Sequence, residues 1–286
     1  MIVLGFDTAT PSTAVALRLD DGRTLGARDD PQPGSHPGHA TRLLAMADEL
    51  LSRADIGWSA LDRIAVGLGP GTFTGLRVGV ATARGLAQSL GVELVGVSSL
   101  HALAEGAARA GITDEVGGPA GRGAGRGVLA VLDARRGEAF AAAYPIAADR
   151  ASVVEEIVAP RALAPEALGS VVEQAEARLG EGRDRRWWAV GDGAIRFRDS
   201  LEQAEVTVPP DSSPAHLLSA EAICGLGART ETAAVAMDRA IVPDYGRRPD
   251  AEIALERKQA ATVAQASAGN RQPRGGNRQP HGSGRS

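Results

Sequence analysis

The stretch IVLGFDTATPSTAVALRLDDGRTLGA, residues 2–27, decides the fold. Ile2 to Phe6 is a short apolar run, Thr13 to Leu19 alternates around Val15, Leu17 and Leu19, and Arg23 to Ala27 follows as a weaker third strand. Asp20-Asp21-Gly22 between the last two is a hairpin signal. Beyond it, a helical pattern over Ala40 to Ala54 puts Leu43, Leu44, Ala47, Leu50 and Leu51 on one face. A strand (Arg63 to Gly67), a long helix (Phe73 to Leu90), a strand (Val92 to Val97) and a helix (Ser99 to Ala110) complete the order βββαβαβα.

The Gly/Arg-rich run GGPAGRGAGRG, Gly117 to Gly127, suits no packed element. After it the order starts again. Val128 to Asp133, Glu138 to Tyr144 and Ser152 to Ala159 read as strands, and Pro165 to Leu179 as a helix with proline in its first turn. Strand Trp187 to Val190, helix Ala194 to Leu201, strand Val206 to Val208 and helix Pro214 to Ala228 follow. Two similar α/β lobes facing a cleft are therefore expected: residues 1–110 and 128–258, joined by the loop 111–127 and followed by a tail, 259–286.

At 286 residues the chain has room for two such lobes. Apolar residues make up 43% and charged residues 23%, ordinary for a protein that buries a core. No apolar run approaches the ~20 residues that span a bilayer, and the N-terminus lacks a basic region before its apolar run. One cysteine, Cys224, forms neither an internal disulfide nor a CxxC metal site. A cytoplasmic protein is the expectation. The net charge of −4 is unevenly spread: the tail from Gln259 has four arginines and no acid, and 27 Lys and Arg against 35 Asp and Glu leave the body at −8. An acidic body is a poor stand-alone nucleic-acid binder, because phosphate contacts supply most of that affinity. The tail repeats GNRQP at Gly269 and Gly276, holds almost nothing that could pack, and reads as a solvated, disordered extension.

Three constellations bear on chemistry. The nonapeptide GLGPGTFTG, Gly67 to Gly75, joins a strand to the long helix, with Gly69, Gly71 and the N-cap candidate Thr72 placed to meet an anion. It is not a Walker A loop, lacking the Lys-Ser/Thr pair, and tight strand-to-helix packing accounts for its glycines equally well. In the helix behind it Gly75, Gly79, Ala83 and Ala87 recur every four residues, a stripe of small side chains. Each interior glycine costs about 1 kcal/mol relative to alanine, which close approach of another helix offsets, within this lobe or from another chain. Asp7 and Asp133 end the first strand of each repeat and either face the cleft together or cap their own turns. His36 and His39 are separated by Pro37-Gly38, and four residues beyond His39 stands Leu43, so no HxxxH metal motif exists. There is no GxSxG nucleophile elbow.

FDTAT near the N-terminus, GLGPGTFTGLRVGVATARGLA from Gly67, LDARRGEAFAA from Leu132, HATRLLAMADELL from His39 and PDYGRRPDAE from Pro243 together resemble the TsaB (YeaZ) family, the dimerisation subunit of bacterial tRNA threonylcarbamoyladenosine synthesis. The resemblance covers roughly residues 1–257. It implies an actin-like, Hsp70-type ATPase (ASKHA) fold and a heterodimer with the catalytic relative TsaD, joined by TsaE, an ATPase. TsaD carries a helical HxxxH metal motif, which His39 and Leu43 here do not reproduce. The implied role is a non-catalytic assembly subunit requiring no cofactor or metal of its own. ATP is used by the complex, tRNA is met only through it, no membrane is involved, and the chain pairs with itself when alone. His39, Leu43, Gly75, Gly79, Ala83 and Ala87 are the expected partner interface. Asp7, Gly69, Gly71, Thr72 and Asp133 are the expected vestigial nucleotide or anion site.

The rival reading is an independent ATP-using phosphotransferase or ATPase with Asp7 and Asp133 around Mg-ATP, and a protease reading lacks both metal motif and nucleophile. Removing Gln259 to Ser286 is expected to leave the melting temperature almost unchanged, since Val263 is its one apolar residue larger than alanine. A loss of several degrees in a thermal melt would show that the tail docks.

Overall fold

Sheet topology repeats the order read from the sequence. A computed structural model describes residues 1–32, 34–112, 126–147, 152–180, 186–230 and 241–246. The Gly/Arg-rich loop up to residue 125 and everything beyond residue 246, the tail included, lie outside the described residues. Met1–Arg247 forms one compact unit, and the following concerns it. The first sheet has the order β3-β2-β1-β4-β5, built from β1 (Val3–Asp7), β2 (Thr13–Arg18), β3 (Thr24–Asp29), β4 (Arg63–Gly67) and β5 (Glu93–Val97). The β1–β3 pairs are antiparallel, while β1–β4 and β4–β5 are parallel. The second sheet, β8-β7-β6-β9, repeats that order with β6 (Arg126–Arg135), β7 (Glu138–Pro145), β8 (Val158–Leu163) and β9 (Arg186–Val190). Its fifth strand, expected at Val206 to Val208, is reduced to a single parallel bridge between Thr207 and Trp188.

Helix α1 (His39–Arg53) and helix α2 (Phe73–Leu90) cover one face of the first sheet, with Leu43, Ala47, Leu50 and Leu51 packed on Leu4, Phe6, Val15 and Ile64. The helices that close each repeat cross over. Helix α3 (Ser99–Arg109) buries Leu100, Leu103, Ala104 and Ala107 against Val128, Ala130 and Tyr144 of the second sheet. The last helix, α7 (Ala220–Arg229), buries Ala222, Ile223 and Cys224 against Val3, Ala16 and Ala65 of the first. Small residues make the close approach feasible: a Cβ on Gly227 would stand 2.5 Å from that of Ala65, and one on Gly5 2.6 Å from the Cys224 sulfur. Arg63, buried on β4, donates to the carbonyls of Gly227 and Thr230 at 2.7 and 2.9 Å, a cation on the carbonyls that end α7. The division at residue 110 is thus bridged by two exchanged helices.

Four further second-repeat elements differ from the sequence expectation. The strand expected at Ser152 to Ala159 lies at Val158–Leu163, because the amide of Val153 goes to Glu105 and that of Val154 to the Pro145 carbonyl, holding this stretch as a loop. The helix expected from Pro165 is a 3-10 turn (Pro165–Ala167) followed by α4 (Gly169–Leu179). The helix expected over Ala194 to Leu201 is two short pieces, α5 (Asp192–Arg196) and α6 (Arg198–Gln203), broken at Phe197. The long helix expected from Pro214 also breaks. His216 accepts the Gly191 amide at Nδ1 and donates Nε2–H to the Pro209 carbonyl, pinning it to the second lobe. The chain then crosses to the first lobe, and α7 restarts behind the Ser219 N-cap, whose hydroxyl accepts the Ala222 amide.

Glu105 ties the crossing together. Its side chain is 0% exposed; Oε1 accepts from Arg109 at 2.9 Å and from Arg229 of α7 at 2.8 Å, and Oε2 accepts the Val153 amide at 2.9 Å. These bonds outweigh burial and hold its carboxyl below the ordinary glutamate value. The stabilisation is therefore present above the ordinary range and lost as pH falls through the folded-state value. Glu105→Gln is expected to lower stability by about 2 kcal/mol and to flatten the acid limb of the melting-temperature-against-pH curve. Equal slopes in both proteins would refute it.

Candidate functional site

The two groups of candidate residues are built separately, each around one aspartate. Asp7 ends β1 and is 1% exposed. One carboxylate oxygen accepts the Ala9 amide at 2.6 Å and the other accepts the Ser99 hydroxyl, first residue of α3, at 2.5 Å. The Ser99 oxygen in turn accepts the Gly69 amide at 3.1 Å. Gly67 is required here, since its Cβ would lie 1.7 Å from the carboxylate. Burial pushes the Asp7 carboxyl up, opposed by the Ser99 and Ala9 hydrogen bonds and by the charge of Arg28. The carboxylate fastens the ends of β1, β4 and β5 to one another.

The glycine loop closes over this anchor. Its Leu68 amide donates to the Val97 carbonyl, and the Thr72 amide to the Ala9 carbonyl at 2.7 Å. Thr72 occupies the N-cap of α2 with extended backbone, yet its side chain makes no capping bond. The spaces beside the glycines are filled as well. A Cβ on Gly71 would meet the Ala9 carbonyl at 2.4 Å, and one on Gly69, which has φ +103°, would meet the Asp244 carbonyl at 2.3 Å. On α2, a Cβ at Gly75 would lie 1.9 Å from the Thr8 carbonyl and one at Gly79 2.4 Å from the Thr8 hydroxyl, which itself donates to the Gly75 carbonyl. The Thr72 amide, which an anion at this helix N-terminus would meet, already donates to the Ala9 carbonyl, and the Leu68 and Gly69 amides donate to the Val97 carbonyl and the Ser99 hydroxyl.

Asp133 shares none of these partners. Its Oδ1 accepts the Arg135 amide, and Oδ2 receives Arg135 at 3.1 Å and Arg196 at 2.8 Å. Its own amide donates to Asp192 at 2.9 Å. Burial and the neighbouring Asp133 charge raise the Asp192 carboxyl against the pull of its backbone hydrogen bonds. The β6–β7 turn carries positive φ at Arg135, Arg136 and Gly137 (64°, 55° and 80°), a tight hairpin preceded by a register shift. Each aspartate caps its own turn, Asp7 through the Ala9 amide and Asp133 through the Arg135 amide, as the second of the two sequence readings has it.

The expected partner interface is also inward. His39 is buried with Nδ1 2.9 Å from the Thr13 hydroxyl, and Leu43 lies in the first-lobe core. Gly75, Gly79, Ala83 and Ala87 form the buried side of α2, so the stripe packs on its own lobe through Thr8 and the core rather than on another chain. Burial lowers the pKa of His39, and no group of three or more His, Cys, Asp or Glu able to hold a metal occurs among the described residues.

Sequence reading missed Ser99, Asp192 and Arg196, each distant in the chain from the aspartate it serves. It also gave no role to the strap Ile241–Gly246. There the Asp244 amide donates to the Leu68 carbonyl, Arg84 of α2 donates to the Ile241 carbonyl at 2.8 Å, and the Tyr245 hydroxyl accepts from Arg77 at 3.3 Å. The proline and tyrosine of PDYG were its only sequence signal.

The duplicated topology defines a two-lobed α/β protein, and solved structures share it. The chain is similar to YeaZ from Pseudomonas aeruginosa at TM-score 0.59 and 29% identity, covering 80% of this chain and 92% of that one. A second Pseudomonas aeruginosa protein, described as similar to peptidase YeaZ, superposes at TM-score 0.61 and 29% identity, covering 86% and 99%. Residues 34–255 match the family model TsaD: tRNA N6-adenosine threonylcarbamoyltransferase. The chain belongs to this family, on its TsaB/YeaZ side. The Escherichia coli tRNA threonylcarbamoyladenosine biosynthesis protein TsaB is 38% identical over 50% of this chain and 55% of its own length. An uncharacterised Mycobacterium tuberculosis protein is 39% identical over 50% and 58%. The matched region thus spans little more than half the length of these curated relatives.

Gly79→Leu is expected to act on the fold first, because its side chain would be driven into Thr8. Overpacking of this kind costs about 1–3 kcal/mol, a melting temperature lower by several degrees. A Gly79→Leu protein melting like the parent would show that α2 does not rest on Thr8.

Proposed function

We propose that this chain is a non-catalytic assembly subunit of the cytoplasmic machinery that forms N6-threonylcarbamoyladenosine at position 37 of tRNA, pairing with a TsaD-type catalytic subunit. One observation carries the reading: the groups that would perform chemistry are taken up by the chain's own structure. Asp7 holds Ser99 and Ala9, Asp133 holds two arginines, and Leu43 fills core where a helical HxxxH would place its second histidine. In this reading ATP is used by the complex rather than by this chain, a TsaE-like ATPase joins it, tRNA is met through the complex, and the chain pairs with itself when alone. No helix among the described residues is long and apolar enough to cross a membrane.

The docking side in this reading is the outward face of α2. Ala81, Gly85 and Ser89 recur every four residues there, all exposed. A Cβ at Gly85 would meet nothing within 4 Å, so packing within the chain gives no reason for glycine. An exposed helical glycine costs about 1 kcal/mol relative to alanine, and close approach of a second helix offsets that.

The test uses the purified chain alone and with a TsaD-type subunit, a TsaE-like ATPase and tRNA. Alone it is expected to show background ATP turnover and no threonylcarbamoyladenosine; the complete mixture is expected to make the modification. Turnover by the chain alone that disappears in Asp7→Ala or Asp133→Ala would overturn the reading in favour of an independent phosphotransferase. Ala81→Arg is expected to melt like the parent and to weaken binding of the TsaD-type subunit more than tenfold in a calorimetric titration.

A further inference from the structure

Helix α2 carries two charged residues, Arg77 and Arg84, and no acid. Both lean toward the strap Ile241–Gly246, and both are met there by neutral groups: Arg77 by the Tyr245 hydroxyl and Arg84 by the Ile241 carbonyl. Among the described residues neither is paired with a carboxylate. Beside them stand two large apolar side chains left open to solvent, Phe73 at 53% and Val242 at 58% exposure. Phe73 packs against Tyr245 with ring centroids 5.1 Å apart, and the Arg77 guanidinium lies 3.7 Å from the Phe73 ring centre. The strap is fixed from beneath: Ile241 is buried in the first-lobe core, and Gly246 lies against Pro70 and Phe140. An apolar centre with two arginines on its helix side and the exposed Asp244 on its strap side is thus built from two segments more than 150 residues apart in sequence and held in place before any partner arrives.

We propose that Phe73, Arg77 and Arg84 of α2 together with Val242 and Tyr245 of the strap form one composite docking surface for a protein partner with an apolar helix rimmed by carboxylates. The inference rests on the assembly reading above, in which that partner is the TsaD-type subunit, and it adds the strap to the interface. Two observations favour protein over RNA. Arg77 and Tyr245 both pack against Phe73, so its ring is not a free stacking platform for a base. The body is acidic, which opposes phosphate contacts. Unpaired arginines around an apolar centre instead suit carboxylates at an interface rim, where they raise association rate and salt sensitivity.

The experiment measures partner affinity by calorimetry at 50 and 300 mM salt, with thermal melts, for the full chain and for Val242→Asp, Arg77→Glu/Arg84→Glu and Ala81→Arg. Val242 is exposed, so Val242→Asp should fold as the parent does and bind at least tenfold more weakly. The double reversal should bind at least tenfold more weakly at 50 mM and lose most of the salt dependence. If Ala81→Arg impairs binding while Val242→Asp and the double reversal bind like the parent, the strap surface is refuted and the assembly reading stands. If all three, Ala81→Arg included, bind like the parent, docking through α2 is refuted as well. If the double reversal leaves partner affinity intact and lowers affinity for tRNA in a filter assay, the surface serves RNA and the proposal is overturned.

Discussion

The exchange of the two closing helices, fastened by the buried carboxylate of Glu105, is the constraint on which the rest depends. With α3 packed on the second sheet and α7 on the first, neither lobe completes its core from its own repeat. A carboxylate without solvent is tolerable only when fully compensated, and Arg109, Arg229 and the Val153 amide supply that compensation from three segments. Arg63 reinforces the crossing at the same C-terminal end of α7. In a two-lobed protein that worked by opening its cleft, such ties would oppose the motion.

The glycine loop shows how such a sequence device serves packing. A strand, a glycine-rich turn and a helix N-terminus hold a phosphate when their amides point into open space. Here the β1–β2 turn enters that space: the Ala9 carbonyl takes the Thr72 amide, and Thr8 rests on Gly75 and Gly79. A carbonyl oxygen satisfies part of the positive end of α2, and the neighbouring Asp7 carboxylate is turned toward Ser99 rather than a cleft. The glycines remain necessary because a backbone needs as much clearance as a phosphate.

Legibility in the sequence followed the range of the interaction. β4 (Arg63–Gly67) and α2 (Phe73–Leu90) coincide with their expected bounds, because periodicity, the glycine turn and the left-handed Gly91 stop are local signals. The second repeat was less legible where contacts across the molecule outrank pattern. Glu105 draws Val153 out of the expected strand, and the His216 anchor ends a helix that the apolar spacing would continue. In the candidate site, spacing identified the small face of α2 but not its neighbour, since a stripe of glycines reports only that something comes close. Asp7 stood out, whereas Ser99, 92 residues away, did not.

Helix α2 therefore carries two separate runs of small residues with different causes. Gly75, Gly79 and Ala83 are explained within the chain by Thr8 and the core. Ala81, Gly85 and Ser89, on the outward side, have no such cause, and helix stability alone would not place glycine there. The inward run lets the β1–β2 turn seat α2 against the sheet, and the strap fixes its flank through Arg77 and Arg84. The outward face is thereby presented on a helix that cannot shift without disturbing the core. Ordering is complete before association, so less of the contact free energy is lost to it. The inward glycines fix the helix, and in the assembly reading proposed above the outward one offers close approach on a helix already fixed.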